Sequence, residues 1–146
     1  MSEWSRKTSA KLKARASAQA IRDEKFVELQ RLKRANGDAK WLEVREAVEA
    51  ECSDLNADMG EQIVKFNMAP MDRLQVWKVG TDRTLHAEFH SDTHQLQWEC
   101  GKRKGHWNLI TTENGVVSFA RVQEDAPIAA KEIAAQLLDI LLETTV

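Results

Sequence analysis

Leu85-His86-Ala87-Glu88-Phe89-His90 and Gln95-Leu96-Gln97-Trp98-Glu99-Cys100 alternate apolar and polar residues, with Ser91-Asp92-Thr93-His94 between them. Successive side chains of a strand point to opposite sides, so this pattern predicts two strands with one buried face each. The same period runs outward through Val64-Phe66-Met68 on one side and Trp107-Leu109 on the other. Strands are expected near residues 63–69, 74–80, 84–90, 95–100, 106–112 and 116–121. Turn residues separate them: Gly80-Thr81-Asp82, Gly101 to Gly105, and Asn114-Gly115, which suits a two-residue hairpin. Pro70 marks a turn or an edge crossing.

The pattern also specifies register, because a slip of one residue would turn every core side chain outward. Phe89 is expected opposite Leu96 and Ala87 opposite Trp98. The same logic sets Trp98 against Leu109 and Cys100 against Trp107. The outer face then reads His86–Glu99–Asn108 in one row and Glu88–Gln97–Ile110 in the next. A two-residue Asn114-Gly115 loop pairs Ile110 with Phe119 and Thr112 with Val117, also outward. Leu74-Gln75-Val76-Trp77-Lys78-Val79 is ambiguous in phase, and Trp77 facing outward would join Ile110, Val117 and Phe119 in an exposed apolar patch.

Helical sequence flanks the strands. Residues 9–35 lack Pro and Gly and are rich in good helix formers. Asn36-Gly37-Asp38 reads as a break, with Gly37 as a left-handed stop and Asp38 as the next N-cap. Trp41, Val44, Val48, Cys52, Leu55 and Met59 then form one helical stripe, and Gly60 ends it. Asp125-Ala126-Pro127 is expected to open a last helix. Its apolar residues cover about 200° of the wheel, enough for the sheet plus another helix or a second copy. The expected fold is α+β: two N-terminal helices, an antiparallel meander of about five to six strands, and a C-terminal helix on one sheet face. Residues 1–20 read as a basic extension and 21–146 as a single domain. The helix–sheet–helix order is similar to that of helix-grip ligand-binding folds and bacterial secretion chaperones, a likeness of element order alone.

A chain of 146 residues suits one domain, and 42% hydrophobic with 30% charged residues suits a globular one. No apolar run reaches the roughly 20 residues of a membrane span, and the start has no apolar leader, so a cytoplasmic protein is expected. Cys52 and Cys100 fall on core positions and form no CxxC pair, which gives redox or zinc chemistry no support. Residues 1–36 hold ten basic and four acidic side chains, a balance of +6, while the remainder holds 11 basic and 19 acidic, a balance of −8. The chain is a positive arm on an acidic body.

Three surfaces are candidates for function. The outer sheet face offers Trp77, His86, Glu88, Gln97, Glu99, Asn108, Ile110, Val117 and Phe119 to a protein, a second copy or a small apolar ligand. Basic side chains at Lys11, Lys13, Arg15, Lys102, Arg103 and Lys104 could contact phosphates of a nucleic acid. His86, Glu88 and His90, with Glu99 across the strand pair, are the metal candidates, although alternate strand residues are about 6.6–7 Å apart and no tight ligand spacing accompanies them. No nucleophile, oxyanion or cofactor motif is present. The leading expectation is a non-enzymatic binding or protein-interaction domain without cofactor, working through the outer sheet face or the last helix. Nucleic-acid binding through the basic arm and metal-dependent function at His86/Glu88/His90 are the alternatives.

Overall fold

The computed structural model describes residues 2–112, 114–121 and 126–144. One helix, α1 (Glu3–Met59), precedes seven strands: β1 (Val64–Asn67), β2 (Arg73–Lys78), β3 (Thr84–His90), β4 (Gln95–Cys100), β5 (Arg103–Thr111), β6 (Val117–Arg121) and β7 (Pro127–Ile128). The strands form a single curled antiparallel sheet in sequence order, and α2 (Ala130–Leu142) ends the fold. No helix among the described residues is long and apolar enough to cross a membrane.

The α+β class and the antiparallel meander agree with the sequence pattern, but the expected pair of N-terminal helices is one helix of 57 residues, about 85 Å long. Ser2 caps its start, its hydroxyl accepting from the Ser5 N–H, and Gly60 ends it in the left-handed conformation at φ +67. Gly37 does not stop the helix. It is buried where α1 crosses the sheet, and a Cβ there would stand 3.1 Å from Phe89 Cζ and 3.2 Å from Leu109 Cδ2. The glycine permits close approach of helix and sheet, and that packing outweighs its poor helix propensity, worth about 1 kcal/mol. Beyond this crossing Trp41, Val44, Val48 and Cys52 are buried, with Trp41 stacked on Phe89 and Phe89 edge-on to Phe119. Before it, residues 9–28 are exposed throughout, the large apolar side chains of Ile21 and Phe26 included.

Side chains from α1 also fix the first loops. The Asn56 amide accepts from the Ile63 and Val64 N–H groups and donates to the Val64 carbonyl, turning the chain from helix into sheet. Trp41 Nε1–H donates to the Met71 carbonyl at 2.7 Å, and buried Arg45 donates to the Met68 carbonyl.

Register follows expectation at the β3–β4 pair, where Phe89 faces Leu96, Ala87 faces Trp98 and His86 faces Glu99. Two other registers differ. At β4–β5, Trp98 faces Gly105 and Leu96 faces Trp107, because Gly101 at φ +61 starts a two-residue turn instead of a long loop. That slip is even, so Trp107 and Leu109 still point inward. At β5–β6 the slip is odd. The Thr112 N–H donates to the Val116 carbonyl and Gly115 takes φ +77, which makes the turn one residue longer than an Asn-Gly hairpin. Leu109 therefore faces Phe119 and Thr111 faces Val117, and both Val117 and Phe119 are buried on the inner face rather than the outer one.

The final helix starts later than expected. Pro127 and Ile128 pair with Ala120 and Phe119 as β7, and the helix begins at Ala130. Its wide apolar face is satisfied within the chain: Ile133, Ala134, Leu137, Leu138, Ile140 and Leu141 are all buried between α1, β2 and β3. The Arg83 guanidinium closes its far end, donating to the carbonyls of Ile140 and Leu141 at 2.8 Å each and pairing with Glu143.

Candidate binding groove on the outer sheet face

Both helices pack on the inner face, so the polar positions of β3, β4 and β5 project from the other side. Leu74 and Val76 are buried and settle the phase of β2, which puts Trp77, half-buried, on the outer face opposite Lys65 and Thr84. Two rows of cross-strand neighbours then run across the middle strands: His86–Glu99–Lys104 and Glu88–Gln97–His106. Asn108 lies one row further, beside Gln95, and donor and acceptor meet there at 3.2 Å. Directly opposed side chains on neighbouring strands stand about 4.5–5.5 Å apart at Cβ.

Six of these side chains, His86, Glu88, Gln97, Glu99, Lys104 and His106, line a groove of about 400 Å³ together with Trp98 and Gly105. A second hollow of about 470 Å³ shares His86 and Glu99 with it and extends past Asp82, Arg83 and Thr84. The lining presents two imidazoles, two carboxylates, an ammonium and an amide. These groups can donate and accept hydrogen bonds and form ion pairs. Glu99 stands between His86 and Lys104 in the first row, so its carboxylate has an imidazole on one side and an ammonium on the other.

Glu88 is engaged at the edge of the groove. Arg73 Nε lies 3.7 Å from one of its oxygens and His90 Nε2 lies 3.2 Å from the other. The His90 contact is not aligned as a hydrogen bond and becomes an ion pair when the imidazole is protonated. Among the described residues no group of three or more His, Cys, Asp or Glu side chains is placed to hold a metal ion.

The expected outer patch is divided. Trp77 lies near the Gly101 end of the sheet and Ile110 near the opposite end, beside Ser118, with Val117 and Phe119 on the far face. The basic residues are likewise dispersed. Lys102 occupies a turn, Arg103 and Lys104 alternate sides of β5, and Lys11, Lys13 and Arg15 are exposed on the arm of α1. Sequence reading missed Lys104 and His106 as groove residues. Gly101 was the available signal, since glycine as the first residue of a two-residue turn sets the β4–β5 register that brings them there.

The chain matches no protein family, no curated protein and no solved structure in the comparisons made with each.

A smaller hollow of about 230 Å³ lies where α1 meets the β3–β4 turn, between Lys33, Arg34, Asp92 and His94. Burial, then the positive charges of Lys33 and Arg34, push the His94 imidazole below its ordinary value, with Asp92 opposing. Cys52 lies in the core, where burial first, then Glu51 and Glu49, raise its thiol to about 12. It is held as the unreactive thiol form.

Proposed function

We infer that this protein is a non-enzymatic binding domain whose receptor surface is the outer face of β3–β5. The observation that carries this reading is the groove of about 400 Å³ over that face, lined by six polar or titratable side chains from three adjacent strands. Rigid strands hold such side chains at fixed spacing, which favours selective recognition of a polar ligand or an extended peptide. An apolar ligand is disfavoured, because it would strip water from carboxylates and an ammonium without replacing their partners. The last helix has no part in this reading, since its apolar face is already covered.

Nuclear magnetic resonance titration of isotope-labelled protein with amino acids, small carboxylic acids and short polar peptides tests it. Shifts concentrated at His86, Gln97, Glu99, Lys104 and His106 are expected, and they vanish in a His86→Ala/Glu99→Gln variant whose circular dichroism is unchanged. Shifts that are absent, or scattered over the whole surface, overturn the assignment.

A further inference from the structure

Charge on α1 is segregated along its length. Residues 3–36 carry ten basic and four acidic side chains, whereas residues 37–59 carry seven acidic and two basic. One of those two, Arg45, is buried. This order runs against the helix macrodipole, which favours acids near the N-terminus and bases near the C-terminus. It therefore does not serve the stability of an isolated helix. The basic half also stands apart from the body, exposed from residue 9 to residue 28, over a length of roughly 30 Å. Helix without tertiary packing is marginal in water, so this arm lacks the contacts that normally hold one.

We propose that two copies of the chain associate through α1 in antiparallel orientation, the basic half of each lying along the acidic half of the other. The occupant is a second copy because the complementary charge lies on the same helix. A two-fold axis near residues 35 and 36 satisfies both halves at once. The solvent side of the acidic half is open, with Ala39, Glu43, Glu46, Ala50, Asp54 and Ala57 all exposed. Centring the pair there sets Ile21, 66% exposed, against Ala50 of the partner subunit. Lys25 then faces Glu46 of the partner subunit, Arg22 the partner's Glu51, and Arg15 the partner's Asp58. The body of each copy lies on the side of its helix away from the contact, so the outer sheet groove stays free and this inference stands independently of the function proposed above.

Sedimentation of the full chain at about 0.05 M and 1 M salt gives the first reading, since ion pairing weakens as the Debye length shrinks. A dimer at low salt that dissociates at high salt is expected. Arm reversal (Arg15→Glu, Arg22→Glu, Lys25→Glu) and body reversal (Glu46→Lys, Glu51→Lys, Asp58→Lys) should each give monomers. Mixing the two variants should restore a heterodimer, because each then supplies the complement of the other. A chain that remains monomeric at low salt overturns the proposal, as does a dimer indifferent to either reversal. Retarded migration with duplex DNA or RNA, lost on arm reversal and not regained on mixing, would assign the arm to nucleic acid instead.

Discussion

The indole of Trp98 occupies the space in which a side chain at Gly105 would begin: a Cβ on Gly105 would stand 2.8 Å from its Cζ2 and Nε1. The two residues face each other across β4 and β5, and this pair holds the register that carries Lys104 and His106 into the groove. Gly105→Ala should therefore destabilise the fold by about 1–3 kcal/mol, the usual cost of overpacking, although alanine is intrinsically the better strand residue. Urea unfolding measures it. Combining it with Trp98→Leu should recover part of the loss, and purely additive effects would show that the contact is not the cause.

Gly37 offers a milder contrast. Replacing an interior helix glycine with alanine ordinarily gains about 1 kcal/mol. Here the new methyl would meet Phe89 and Leu109 at 3.1 and 3.2 Å, so Gly37→Ala should leave the urea midpoint nearly unchanged. Gly37→Leu should lower stability by roughly 1–3 kcal/mol by wedging α1 off the sheet. A full stabilising gain from alanine would mean that α1 does not approach the sheet so closely.

Arg83 closes α2 with three charge-assisted contacts, to Ile140, Leu141 and Glu143. Orphaned helix-end carbonyls are costly when half-buried, and Arg83→Ala should lose about 2 kcal/mol. Arg83→Lys keeps the charge without the fork of donors and should recover less than half of that. Hydrogen exchange at the last turn of α2 should quicken in both variants, more in the alanine one.

His94 makes stability depend on pH with a definite sign. Its folded value is lowered by burial and by Lys33 and Arg34, so the unfolded chain binds the proton more readily. Stability is then full above the ordinary histidine value of about 6.5 and falls as pH drops toward the lowered folded value. Urea midpoints at pH 7 and pH 5 should differ less in His94→Gln than in the natural chain. An equal difference in both would assign the pH effect to other groups.

The thiols supply a chemical check on the core. Cys52 and Cys100 are both buried, and Cys52 is held as the thiol. A thiol reagent should label neither in the folded protein and both in urea. Labelling of Cys52 without denaturant would contradict its place on the buried face of α1.

Local alternation alone determined that Leu85, Ala87 and Phe89 share a face with Leu96 and Cys100, and the β3–β4 register that sets His86 against Glu99 follows from it. A period of two is a property of each strand, and the steric rule behind it needs no distant partner. The continuous α1 and the groove were not legible in this way. Gly37 reads as a stop until Phe89 and Leu109 are found against it, and Gly105 reads as a loop residue until the Trp98 ring is found over it. Val117 and Phe119 turned inward because the turn before them is one residue longer than the Asn-Gly signal implies. Each of these outcomes depends on side chains far apart in sequence or on the exact length of a turn, and packing decides between local conformations that differ by only about 1 kcal/mol.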